Sequence, residues 1–147
     1  GQGTAASFYS PAGIVLDASG NIYVSDFDNN NIRKITPTAV VSTFAGSNTK
    51  GSANGQGTAA SFNGPDDIAL DTEGNIYVPE YGNNDIRKIT PTGLVSTIAG
   101  NGSQGSADGQ ATLSSFSAPI GIAVDASGNI YVGDEGNNKI RKITHNP

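Results

Sequence analysis

Carboxylates carry most of the chemistry open to this chain. Asp17, Asp71 and Asp125 each begin an Asp-x-x-Gly-Asn run. That spacing suits a turn whose carboxylate accepts backbone N–H groups while glycine supplies a positive φ. The alternating acidic ligands and distal glutamate of a calcium loop are missing, so the reading is structural. A second set, Asp26, Glu80 and Asp134, ends an apolar run shortly before Arg33, Arg87 and Arg141. Ion pairs that fix register are the expectation there. Position-specific chemistry shows where the pattern breaks. Asp66-Asp67 stands where the counterparts read Ala12-Gly13 and Ile120-Gly121, and Pro79-Glu80, followed by Tyr81, replaces Ser25-Asp26 and Gly133-Asp134. Asp66, Asp67, Glu80 and Tyr81 are therefore the candidate binding residues. His145, beside the C-terminus, is the only histidine, and cysteine is absent. A histidine triad, a multi-histidine metal site within one chain, disulfides and thiol chemistry are thereby excluded, and no catalytic residue is assigned. Asn101-Gly102-Ser103 is a glycosylation sequon, Asn101 being the candidate acceptor in a secreted protein.

The elements that position these residues repeat. Phe8, Phe62 and Phe116 are 54 residues apart, and the offset holds for Tyr23, Tyr77 and Tyr131 without insertion or deletion. Such a period points to propeller blades or helical solenoids, and local pattern chooses strands. In the first unit Gly13-Ile14-Val15-Leu16-Asp17 reads as a buried inner strand, and 17–21 as a tight turn. Asn21-Ile22-Tyr23-Val24-Ser25, Ile32-Arg33-Lys34-Ile35-Thr36 and Val40-Val41-Ser42-Thr43-Phe44-Ala45 complete a four-stranded antiparallel meander, with turns at 28–31 and at Pro37-Thr38. Blades are expected at about 11–46, 65–100 and 119–144, the last lacking its outer strand. The Gly-, Ser- and Ala-rich stretch 47–63 is expected to cross between blades. One helical turn at 58–62 would set Phe62 as a wedge.

Proline, glycine and the apolar run Pro11-Ala12-Gly13-Ile14-Val15-Leu16-Asp17, then Gly20-Asn21-Ile22-Tyr23-Val24, Asp26, Asn29-Asn30 and Ile32-Arg33-Lys34-Ile35, return at 65–89 and 119–143. This pattern resembles the NHL repeat. The resemblance covers nearly the whole chain and implies an all-β propeller, commonly six-bladed. It implies no single activity, since such propellers serve as protein- and RNA-binding platforms, sensor ectodomains and, in related lyases, catalysts.

Three blades leave two open flanks, so two chains completing one six-bladed ring is the expected assembly. An unpaired third strand in the last blade adds an edge that another chain can extend into rings or fibres. The expected function is a non-enzymatic binding and assembly module for a protein or glycan ligand. The alternatives are a lactonase- or lyase-like metal enzyme and a self-assembling structural subunit. No cofactor is assigned; calcium held in the channel by Asp66 and Asp67 of both copies is the one option weighed. The net charge of −5, with six of eight cations in three Arg-Lys pairs, argues against a nucleic-acid partner. No apolar run reaches the ~20 residues of a membrane helix. A cysteine-free composition rich in Asn, Gly and Thr fits a secreted or surface bacterial protein. The start inside a repeat, without Met, fits a removed signal peptide or a cut fragment.

Overall fold

Apolar runs separated by capped turns make each unit double back on itself. The computed structural model describes residues 1–144. The first blade contains β1 (Pro11–Leu16), β2 (Ile22–Asp26), β3 (Asn31–Ile35) and β4 (Val41–Ala45) in sequential antiparallel order. The second contains β5 (Gly55–Gln56), β6 (Ala69–Leu70), β7 (Ile76–Glu80), β8 (Asp85–Ile89) and β9 (Leu94–Ala99), ordered β5-β9-β8-β7-β6. The third contains β10 (Pro119–Val124), β11 (Ile130–Asp134) and β12 (Lys139–Ile143). Pairing repeats faithfully: Ile22↔Ile35, Ile76↔Ile89 and Ile130↔Ile143 oppose each other across the second and third strands. Asn30, Asn84 and Asn138 take left-handed backbone angles, φ 52, 54 and 55, where each second hairpin reverses. Asparagine tolerates that region better than other non-glycine residues.

Three features depart from the sequence reading. The inner strand β1 of blade 1 is not buried, Ile14 and Leu16 being 62% and 63% exposed because no blade packs on that side within the chain. The stretch 47–63 does more than cross over, because Gly55–Gln56 forms β5 and pairs with Val95 and Leu94 on the outer edge of blade 2. Its short helical turn is 3-10 and covers Gly57–Ala59, earlier than expected. Gly57, at φ +55, starts it while its carbonyl accepts the Gly46 N–H and its N–H donates to Gly93 O. Inner strand β6 is only two residues long. Pro79, beyond the Ile76 and Tyr77 that pair with it, has no N–H to give, and the Asp67 carboxylate takes the Ile68 N–H at 2.8 Å.

The core lies between blades. Tyr23, Ile32 and Ala45 of blade 1 meet Phe62, Ile68, Ile76, Val78, Ile89 and Val95 of blade 2. Tyr77, Ile86 and Ala99 of blade 2 likewise meet Phe116, Ile122, Ile130 and Val132 of blade 3. Phe62 is fully buried, as a wedge should be. The end blades are one-sided. Ile68 and Ile122 are 3% and 9% exposed, whereas their counterpart Ile14 on the outward face of blade 1 is 62% exposed. Ile32 and Ile86 are both 0% exposed, whereas Ile140 on the outward face of blade 3 is 79% exposed.

Candidate functional site

Register decides which side chains share a face. Pro11 opposes Asp26, which opposes Asn31, and Ile32 opposes Ala45, so the connections between blades and the second hairpins lie at one end of the sheets. The first and third turns, beside Leu16, Ile22, Ile35 and Val41, lie at the other. Most differences among the units gather on the first face: Tyr9/Asn63/Ser117, Ala12/Asp66/Ile120, Ser25/Pro79/Gly133, Phe27/Tyr81/Glu135 and Asn31/Asp85/Lys139. A frame that repeats beneath a varying surface makes that surface the candidate site.

Most repeated polar groups are spent on the frame. Asp71 Oδ1 accepts the Glu73 and Asn75 N–H groups at 2.9 and 2.8 Å, and its Oδ2 accepts Tyr77 Oη at 3.0 Å. Asp17 and Asp125 do the same with their own turns. Hydrogen bonding from Asn21 and Asn129 holds Asp17 and Asp125 below the usual carboxylate range. At Asp71, burial works upward but the donated hydrogen bonds prevail and the net shift is down. Arg87 is buried, bonding Glu80 at 2.6 Å, Ser61 O at 3.0 Å and Ala53 O at 2.9 Å, with its guanidinium 5.2 Å from the Phe62 ring centroid. Arg141 repeats this with Asp134, Ser115 O and Ala107 O. Arg33 bonds Asp26 at 3.3 Å and Ser7 O at 3.0 Å. Each arginine thus ties its blade to the crossing segment before it.

The four expected binding residues separate. Glu80 is buried rather than channel-facing, because Arg87, Asn83 and the Asn63 N–H occupy its carboxylate. Asp67 is an inter-blade strut: its Oδ2 accepts the Ile122 N–H at 3.1 Å and its own N–H donates to Ile120 O. Asp66 keeps a half-buried carboxyl, raised above the ordinary aspartate value by burial and then by the charges of Asp67 and Glu135. Glu135 escaped the sequence reading, although its place in the Phe27/Tyr81/Glu135 series marked it. Tyr81 is half-exposed and tilts against Phe27, ring centroids 6.3 Å apart. Beside that pair is a groove of about 270 Å³ lined also by Asn30, Lys50, Asn63 and Gly64. Gly64 permits it: φ is +66, and a Cβ there would sit 3.1 Å from the Phe27 ring.

Asn101 is exposed, with Oδ1 accepting the Ser103 N–H at 2.9 Å. His145 lies outside the described residues. Among the described residues of one chain, no three His, Cys, Asp or Glu side chains gather as a metal site, and no helix is long and apolar enough to cross a membrane.

The NHL repeat family is matched at residues 8–35 and 116–143. The two matches flank the unit that carries Asp66-Asp67 and Pro79. Protein SUPPRESSOR OF QUENCHING 1, chloroplastic, from Arabidopsis thaliana is 30% identical over 95% of this chain and 14% of its own length. An auxiliary nutrient binding protein from Bacteroides thetaiotaomicron superposes with TM-score 0.79 at 26% identity, over 89% of this chain and 36% of that one. Virginiamycin B lyase from Staphylococcus aureus gives TM-score 0.63 at 18% identity, over 91% and 38% respectively, a likeness of fold. The chain therefore spans about a seventh of the plant relative and little more than a third of these solved structures.

Proposed function

Because this chain is built of NHL repeats folded as β-propeller blades, we propose that it is a non-enzymatic binding module that completes its ring by association and recognises a ligand on the variable face. The observation that carries the assembly is the mismatch in burial between equivalent isoleucines. Ile14 and Ile140 stand bare where Ile68, Ile122, Ile32 and Ile86 are covered by a neighbouring blade. Burying such a side chain stabilises by about 1.5–3 kcal/mol. The two bare faces are the complementary halves of a contact the chain already makes twice, so head-to-tail union of two copies closes six blades. Light scattering of the purified chain should report about twice its 14.9 kDa mass; a monomer at micromolar concentration would overturn the assembly.

On the variable face, Phe27 and Tyr81 offer aromatic surfaces while Asn63 and Lys50 offer polar groups. That mixture suits a hydroxylated small molecule such as a glycan, and the nutrient-binding neighbour supports the reading. A secreted or surface location accords with it. Asp66 is the carboxylate left for a cation in the channel; calorimetry with calcium tests that separately. A lactonase- or lyase-like enzyme is the competing reading on the same fold. The engagement of Asp67 and Glu80 in structural bonds favours binding. Glycan screening together with metal analysis of the purified protein separates the two. Bound sugar without metal supports the module, and stoichiometric metal with turnover of a lactone or cyclic ester sinks it.

A further inference from the structure

One pair of facing positions differs between blades 1 and 2 in a way that opens a cleft. In blade 1 the buried Asn31 side chain donates through Nδ2 to Oδ1 of Asn48, in the connection that follows β4. The counterparts 54 residues on are Asp85 and Gly102. The two connections share a backbone course. Gly46 and Gly100 both have positive φ, 102 and 93, and Asn48 and Gly102 follow at 64 and 80. What differs is the missing side chain. A Cβ on Gly102 would approach only Asn83 O, at 3.9 Å.

The cleft has a volume of about 330 Å³ and is lined, among others, by Gly102, Asp85, Ser52, Asn54, Thr97 and Thr112. Asp85 is 4% exposed, and its Oδ1 has no hydrogen-bond partner among the described residues. A buried acid oxygen without a donor is costly, so this position calls for one. The hydroxyls and amide around it suit a ligand that is itself hydroxylated. Asp85 is the single acid in the lining, too few carboxylates for calcium, and the cleft is wider than a bare ion needs. The lining residues all lie between 52 and 112, inside the repeat array, and none of them lines the Phe27–Tyr81 groove.

We propose that this cleft binds a small hydroxylated molecule through a primary ammonium group, which takes the place of the Asn48 side chain and donates to the Asp85 carboxylate. Charge explains why the donor is a cation. Glu80 of β7 and Asp85 of β8 hold one proton between them against the single positive charge of Arg87. An ammonium at Asp85 brings a second positive charge, so that proton leaves to solvent and each carboxylate faces a cation. Affinity therefore rises with pH up to about 8, beyond which Asp85 has already lost its proton. The site depends on neither ring closure nor the Phe27–Tyr81 groove.

Calorimetry on the full chain at about pH 8 tests this, with 1-amino-1-deoxyglucitol as the probe and glucitol, which lacks the amine, as its control. Saturable one-to-one binding of the amine, with glucitol at least about tenfold weaker, is the expected result, as one charge-assisted hydrogen bond implies. At about pH 6 the amine should bind at least about tenfold more weakly than at about pH 8. Gly102→Asn restores the blade 1 side chain and should abolish binding. Asp85→Asn, again the blade 1 residue, should weaken it at least about tenfold and remove the pH dependence. Blade 1 already holds both residues in this fold, and circular dichroism checks each variant. Should Asp85→Asn fail to fold, Gly102→Asn carries the test. No saturable binding of the amine, equal binding of glucitol, or undiminished binding to Gly102→Asn overturns the proposal.

Discussion

Glu80, Asp85 and Arg87 form a buried cluster in which two carboxylates share one cation. Burial raises Asp85 to about 8, with the neighbouring Glu80 charge adding to the shift and Arg87 opposing it. Glu80 is itself raised, chiefly by burial. One proton therefore belongs to the pair in the folded state over a range where the unfolded chain, with aspartate near 3.9, has released it. The folded state binds the extra proton, so stability is fullest below about pH 4, falls as pH rises through about 8, and then levels off. Blade 1 has Asn31 at the equivalent place. Asp85→Asn should thus raise Tm at pH 9 and change it little at pH 4, each kcal/mol being worth roughly 2–4 °C in a chain of this size. Thermal melts across pH 4–9 check this; a gain equal at both ends of the range would refute the linkage. None of this was legible from sequence. The ion pair was expected from spacing, but the burial that traps a second acid beside it comes from the crossing segment folding over the cluster.

At the scale of the element, the same residue type has opposite consequences according to which blade holds it. Ile86→Ala empties a site closed by blade 3 and should cost about 2–5 kcal/mol. Ile140→Ala removes a side chain that one isolated chain leaves exposed, and within that chain should cost less than about 0.5 kcal/mol. Denaturant midpoints measured at high dilution compare the two. In the connection between blades 1 and 2, Gly64→Ala meets both the Phe27 ring and a φ of +66. A loss of at least about 1 kcal/mol, with a changed near-ultraviolet signal from the Phe27–Tyr81 pair, is expected. Four strands per full unit, their turns and the glycine positions were readable because period and turn chemistry are local. Strand β5 was not. Gly55-Gln56 has no strand propensity of its own and pairs only because Gly57 is pinned to Gly93 at the edge of β9.

For the whole molecule, the proposed ring closure makes stability and assembly one quantity. If head-to-tail union buries Ile14, Leu16 and Ile140, Tm should rise with protein concentration and Ile140→Glu should abolish that dependence. A concentration-independent Tm in the parent chain would contradict ring closure. The charge balance works against nonspecific collapse of these faces, since a chain of net charge −5 repels its own copies except where apolar surfaces fit.

Sequence alone determined the repeat, the antiparallel meander, the capping role of Asp17, Asp71 and Asp125, and the arginine–carboxylate pairing, because each depends on residues close along the chain or recurring at a fixed offset. Tertiary structure decided which acids remain free. Asp66 and Asp67 are adjacent in the chain, yet the Ile122 N–H of the neighbouring blade and the Ile68 N–H of its own bind the Asp67 carboxylate, while no donor among the described residues binds that of Asp66. Identical residues in successive units diverge for the same reason: burial depends on the sheet packed alongside, which no local pattern encodes.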